Sequence, residues 1–503
     1  KAVSYQKHKK TFCSARRRTL GGIMQAEKKP MTKKQYLEKS KKFDSLRDKV
    51  AADPYRMKYH LQPPIGWLND PNGLCQIGNQ YHICFQYTPF NPNGGTGLWG
   101  HMVTEDFIHY EEHEPSIFPD SCWDANGAYS GSAYEEDGEY YFFYTGNVKY
   151  EGKDYNYVTD GREQNVILTT TKDGYIFSEK KLIMTNDNFP EDLSKHVRDP
   201  QIIKKGNHYY MILGARDLLN KGSVLLFKSD DLYHWKYELR FTTQQVFGYM
   251  WECPNYVEIE GKQFLIVCPQ GIEQDGLDYA NAHQCGYFPL KYEFKDKIYQ
   301  LGEFYQLDRG FDFYAPQIFK DHTGRVILLG WMGMPDSDYS NDETVKNGWQ
   351  HALSIPRELY VTEKGKLAQK PLDELKKLRS NEKKIEFHTG FSTSTSVCFE
   401  MEINFETSKD FILKLRESVK LRYKEGILTL DITHCGSGRK QRGVAINTIA
   451  DIRIFSDSSS LEIFINGGEV VFTTRIYDSM KELSCKLKSE NLNGVVKYYD
   501  LNS

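Results

Sequence analysis

The sequence predicts an all-β protein: a five-bladed β-propeller followed by a C-terminal β-sandwich, with a short N-terminal helical extension. Three observations predict it. A Gly-x-aromatic or Gly-x-apolar turn leading into an apolar run recurs at Gly78, Gly138, Gly206, Gly261 and Gly324, with separations of 60, 68, 55 and 63 residues. That is the length a four-stranded sheet with its turns requires. A second echo follows three of these hairpins: Thr104-Glu105-Asp106 with Tyr110, Thr171-Lys172-Asp173 with Phe177, and Ser229-Asp230-Asp231 with Trp235. Side-chain oxygens at such spacing satisfy turn amides while the aromatic closes the next strand. From about Lys384 the pattern changes to period-two strands such as 399–405, 421–432 and 461–465, bounded by Gly and Ser, as a sandwich demands.

In chain order, residues 1–30 read as a disordered basic extension. Its Lys9-Lys10 and Arg16-Arg17-Arg18 clusters resemble a nuclear-targeting or nucleic-acid arm only superficially. Residues 31–54 read as a charged helix, because Tyr36, Leu37, Phe43, Leu46 and Val50 recur near helical spacing and Asp53-Pro54 stops it. The propeller is expected over 55–365, a helical linker over 366–383 around Pro371 to Leu378, and the sandwich over 384–503.

The repeat turns three ordinary acids into one candidate site. Asp70 lies eight residues before Gly78, Asp199 seven before Gly206 and Glu252 nine before Gly261. The equivalent places in the other units hold Tyr129-Ser130 and Asp312-Phe313-Tyr314. If the strand before each turn is the innermost of its blade, all five positions open onto one end of the central channel. Taken singly, Asp70-Pro71 is turn punctuation, Arg198-Asp199 a charge pair on a strand edge and Glu252 an exposed strand residue. Their shared register is what favours a site.

These residues also carry a resemblance. The stretch Tyr59 to Gly73, the element Tyr129-Ser130-Gly131-Ser132, Arg198-Asp199-Pro200 and Trp251-Glu252-Cys253-Pro254 resemble the motif set of glycoside hydrolase family 32. The likeness continues through Asp312 to Gln317, Gly330-Trp331-Met332, Ser354 to Leu359 and Ser460 to Glu469, in the right order over about residues 50 to 480. It departs at Thr88, where the family usually has Asn, and in the Gly- and Asn-rich rim segment from Asn91 to Gly97.

The resemblance implies a retaining β-fructofuranosidase acting on sucrose or sucrose 6-phosphate through a covalent fructosyl-enzyme intermediate. Asp70 would be the nucleophile, Glu252 the general acid and then base, and Asp199 the transition-state stabiliser, oriented by Arg198. Such a pair of carboxyl groups stands about 5–5.5 Å apart. Glu252 would hold a proton near neutral pH while Asp70 stays ionised. Asn69, Gln86, Tyr129, Ser130 and Trp331 resemble the residues that hold the furanose ring, and Trp67 and Trp99 would supply apolar walls. The alternatives are a fructan hydrolase or fructosyltransferase, an inverting pentose-glycan hydrolase and a non-catalytic carbohydrate-binding propeller.

Composition narrows the partners. The formal charge of -3 divides into +12 over residues 1–50 and -15 over the rest, and an acidic body argues against nucleic acid as a partner. No apolar run reaches the ~18 residues of a membrane span. The ten cysteines include no C-x-x-C pair, so neither structural zinc nor a disulfide framework is expected. No cofactor is expected, and the partner is a small sugar. The lack of an Asn-x-Ser/Thr acceptor favours a cytoplasmic address, a secreted protein shorn of its signal being the alternative.

Overall fold

The computed structural model describes residues 30–152, 154–416 and 418–502; the basic segment expected over 1–30 lies, apart from Pro30, outside them. Five antiparallel sheets surround one axis. The inner strands are Gly66–Ile77, Ala128–Glu136, Leu193–Lys205, Met250–Ile259 and Tyr314–Lys320, and each continues through its hairpin turn into the second strand of its blade. These five strands touch in ring order, the fifth against the first. A short parallel pairing of Gly66 and Trp67 with Trp349 and Gln350 ties the excursion after blade five to blade one.

The echoed turns have one geometry three times over. Thr104, Thr171 and Ser229 hydroxyls accept from the amides two and three residues on, and Asp106, Asp173 and Asp231 carboxylates accept from the next two amides. A turn of this kind links the third and fourth strands of blades one, two and three.

Two local expectations differ from the structure. The helix over 31–54 is two helices, Lys33–Ser40 and Asp44–Ala51, joined by a single 3-10 turn, Lys41–Phe43. Its start is a capping box of Thr32 with Gln35. The break follows from Ser40, whose hydroxyl bonds back to the Tyr36 carbonyl at 3.0 Å, a contact that bends helices, and from Phe43 packing on Phe90. The helical linker over 366–383 is also different. Leu367–Pro371 is the fourth strand of blade five, paired with Arg357–Val361, and only Asp373–Leu378 coils, as a 3-10 helix. Leu372, Leu375 and Leu378 are all buried, and a spacing of three suits the 3-10 form. Cross-strand pairing overrides the weak strand propensity of Ala368-Gln369-Lys370.

The C-terminal module is a curled, sandwich-like sheet. The 18-residue strand Ser484–Leu501 pairs with Arg379–Ser394 along most of its length. Its first part also pairs with Phe411–Leu415 and its last part with Phe399–Phe405, so the two ends belong to facing layers. Phe399, Met401, Leu413, Leu421, Ile454, Ile463 and Tyr498 fill the space between.

The module docks through buried charge. His60, ahead of blade one, lies 2.8 Å from Asp457 and 3.0 Å from Glu462. Arg357 of blade five reaches Glu462, Thr473 and Asp308. Arg439 clasps Asp312 with two bonds of 2.7 Å. Each charge is satisfied on several sides, which is what makes burial tolerable.

Candidate active site

Every inner strand carries a bulge at the same height. Opposite one residue of the second strand, two residues of the inner strand go unpaired: Asn69-Asp70, Tyr129-Ser130, Asp199-Pro200, Cys253-Pro254 and Ala315-Pro316. A bulge breaks the in-out alternation of a strand and re-aims its side chains, and proline is tolerated there because no ladder donor is needed. Asp199, Cys253 and Ala315 hold φ of 64°, 48° and 46°. Left-handed backbone at non-glycine residues costs about 1–3 kcal/mol each and persists where the surroundings over-determine it. The three acids therefore converge on one end of the channel. Below them Ser132 bonds the Pro200 carbonyl, Asn255 the Pro316 carbonyl and Gln317 the Gly131 carbonyl. That polar floor leaves a cavity of about 20 Å³, room for one water.

Each acid takes its hydrogen bonds from its own or a neighbouring blade. Asp70 accepts from Ser130 at 2.6 Å and from Asn69 at 2.9 Å, and Asn69 is held in turn by the Trp67 indole at 2.7 Å. Asp199 accepts the Cys253 amide at 2.9 Å. Glu252 accepts from Arg198 on one oxygen, and from Gln270 at 2.8 Å and the Tyr314 hydroxyl at 2.7 Å on the other. The Cys253 thiol lies 3.8 Å from Asp70 and 3.7 Å from Asp199.

Electrostatics follow from this crowding. Burial pushes Asp70 above the usual carboxylate range, the Ser130 and Asn69 bonds pull against it, and the charge of Glu252 adds to the rise. Burial lifts Asp199 to about 7, opposed by Arg198 and assisted by Glu252 and Asp70. Like charges gathered in one buried site favour the neutral form of a carboxyl group, which is the direction in which Asp70 and Asp199 both move.

Two expectations are corrected. Arg198 does not orient Asp199. Its guanidinium turns to Glu252, Gln164 and His196, and the Cys253 amide is what holds Asp199. Strand neighbours point to opposite faces, and the positive φ at Asp199 re-aims that carboxyl. Trp99 is no wall of the pocket: it is fully buried against Phe142 and Tyr144 and donates to the Tyr129 carbonyl. Gln86 is likewise buried, bonding Asn72 and the Ala128 carbonyl from behind the blade-two bulge. Trp331 does line a cavity, together with Trp67 and His351, and packs tilted against Trp67 and edge-on to His351.

The sequence reading missed Gln164, His196 and Gln270. Tyr314 lay in the right repeat position, yet nothing in its neighbours announces a partner for Glu252. Gln270 pairs with Met250 across the hairpin, a register no local pattern reveals.

Family models match nearly the whole described chain: the glycosyl hydrolases family 32 N-terminal domain over residues 60–371 and the family 32 C-terminal domain over 367–502. The chain belongs to glycoside hydrolase family 32. It is a glycoside hydrolase of the β-fructofuranosidase type. A sucrose-6-phosphate hydrolase of Bacillus subtilis (strain 168) is 37% identical over 444 residues, 85% of this chain and 90% of that protein. The solved sucrose-6-phosphate hydrolase of Lactobacillus gasseri superposes with a TM-score of 0.83 at 29% identity, covering 94% of this chain and 99% of that one. A mutant of a Bombyx mori family 32 β-fructofuranosidase, solved in complex with sucrose, gives a TM-score of 0.78 at 26% identity, covering 92% and 98%.

Proposed function

We propose that the enzyme hydrolyses the β-D-fructofuranosyl bond of sucrose or sucrose 6-phosphate with retention of configuration, through a covalent fructosyl intermediate on Asp70. The observation that carries this reading is the recurrence of a bulge at one height of the inner strands, with Asp70 and Asp199 in their bulges and Glu252 immediately before its own, around one small polar funnel. Family membership and the names of the relatives support the substrate class.

In this scheme Asp70, pinned on both oxygens by Ser130 and Asn69, attacks the fructosyl C2. Glu252 protonates the departing glucosyl oxygen, then takes a proton from the incoming water. Of the groups holding Glu252, the Tyr314 hydroxyl can turn from donor to acceptor, so it accommodates the protonated form. Asp199 accepts hydrogen bonds from fructose hydroxyls, which strengthen as charge develops at the ring. Sugar phosphates are confined to the cytoplasm, which is the compartment this reading favours.

Mass spectrometry of Glu252→Gln incubated with sucrose tests it. A species one fructosyl unit heavier, mapped to the peptide carrying Asp70, is the expected result, and Asp70→Asn removes both the adduct and glucose release. NMR showing the opposite fructose anomer as first product, or an adduct on another residue, ends the proposal.

A further inference from the structure

Beyond Glu252, on the side away from Trp331, lies a cluster of cations without enough anions. The His196 ring accepts from Arg198 at 2.7 Å and from Arg162 at 3.3 Å, both through Nδ1. Two guanidinium donors on one ring nitrogen require the neutral imidazole. Burial and the charges of Arg198, Arg162 and Arg216 together hold His196 down to about 2, so it adds no charge of its own. Arg198 has Glu252. The other two have no carboxylate partner among the described residues.

Arg162 carries a buried Nε with no hydrogen-bond partner, and burial pushes its pKa below the usual range, with Arg198 adding to the effect. Arg216 bonds only the neutral Asn220 side chain, at 3.0 and 2.6 Å, and lies over the Tyr249 ring at 4.7 Å. Three fully buried arginines elsewhere, Arg357, Arg416 and Arg439, hold carboxylates, whereas Arg162 and Arg216 stand beside a catalytic acid without one. An uncompensated guanidinium pair bordering a catalytic acid is costly to the empty protein. A bound anion offsets that cost.

We propose that Arg162 and Arg216, gathered with Arg198 around the His196 ring, bind a phosphate monoester on the leaving sugar, so that sucrose 6-phosphate is preferred over sucrose. The proposal rests on the hydrolase reading above. Glu252 faces the glycosidic oxygen in that reading, and the 6-phosphate of the glucosyl unit extends from the same ring. The phosphate carries close to two negative charges, and guanidinium groups meet its oxygens with two parallel bonds. A separate cavity of about 330 Å³, lined by Trp67, Trp331, Asp336 and His351 among others, offers aromatic faces and no arginine or lysine to a phosphate.

The test is kcat/KM for sucrose 6-phosphate and for sucrose, measured side by side on wild type, Arg216→Gln, Arg162→Gln and Arg162→Lys. Hydrogen bonds to charged groups are worth about 1.5–3 kcal/mol, so each Gln variant loses on the order of 10- to 100-fold on the phosphorylated substrate. Sucrose turnover stays nearly unchanged, and Arg162→Lys recovers part of the loss. Inhibition by glucose 6-phosphate, but not by fructose, weakens in the same variants, and inorganic phosphate as a probe separates simple anion binding from recognition of the phosphorylated sugar. Arg216 is only partly buried, so its variant remains informative if changes at Arg162 disturb folding. A wild type that cleaves both substrates equally, or variants that lose both activities in parallel, overturns the phosphate site and leaves the hydrolase reading standing. A wild type that cleaves neither removes the hydrolase reading itself.

Discussion

Raising the pH should loosen the join between propeller and sandwich, and His60 is the group that makes it do so. Burial alone would push this imidazole down. The hydrogen bonds from its two nitrogens to Asp457 and Glu462, and the charges of those acids, instead raise it from 6.5 to about 9. The folded state therefore binds this proton more tightly than the unfolded chain. The resulting stabilisation is fully present below pH 6.5 and disappears as the pH climbs through about 9. Each pKa unit is worth about 1.4 kcal/mol, so the rise corresponds to roughly 3 kcal/mol. With an unfolding entropy near 2.1 cal/mol/K per residue, that is about 3 °C in Tm for a chain of this size. The assay is thermal unfolding of wild type and His60→Gln every half unit from pH 6 to 10. The variant starts lower, because two carboxylates lose their cation, so the difference between the two curves is the quantity of interest. It should shrink by about 3 kcal/mol between pH 6 and 10. A constant difference across that range means His60 is neutral in the folded protein and refutes the reasoning.

Three other outcomes follow from the same geometry. Burial lifts Asp199 to about 7 against the pull of Arg198, so below that pH the free enzyme holds it protonated and without its full accepting capacity; kcat/KM for glucose release should fall as pH drops through about 7, and a flat profile from pH 5 to 8 counts against Asp199 as the stabilising acid. Asp312→Asn strips the two-bond clasp from Arg439 and should cost about 3–5 kcal/mol in denaturant unfolding, with glucose release per folded molecule nearly unchanged; a loss of turnover without a loss of stability would move Asp312 into the site. Burial and the neighbouring acids Asp199 and Asp70 push the Cys253 thiol well up, so iodoacetamide at pH 8 should leave it unmodified, because alkylation needs the thiolate. Stoichiometric labelling at Cys253 in native protein, read by peptide mass spectrometry, would contradict that environment.

The blades were legible because their signals are local. A hairpin glycine and a Ser/Thr-x-Asp turn are satisfied within a few residues, so they mark each unit without knowledge of the partner strand. The failures all required non-local information. Arg198 was paired with Asp199 by adjacency, whereas the bulge that separates them is a property of the register between Leu193–Lys205 and His208–Asp217. Trp99 is expected from its sequence context as an apolar wall of the pocket, but its burial depends on Phe142 and Tyr144 of the next blade. The strand Leu367–Pro371 has almost no strand signal, and it exists because Arg357–Val361 offers an open edge.

The bulges also explain how a near-symmetric scaffold produces unequal acids. Five equivalent positions face the axis, and three carry carboxyl groups within reach of one another. Identical surroundings would leave the shared protons evenly spread, which suits neither attack nor protonation. The two positions without acids break that symmetry. Blade two supplies the Ser130 hydroxyl, which favours the charged form of Asp70, and blade five supplies Tyr314, a partner for Glu252 able to donate or accept. Blade three contributes both Arg198, whose guanidinium is taken up by Glu252, and Asp199, left with the Cys253 amide and the deepest desolvation. Division of labour among the acids thus comes from which neutral or cationic neighbour each adjacent blade provides. It follows that exchanging Ser130 for Ala should disturb Asp70 more than any change to the acids' own strands short of the acids themselves.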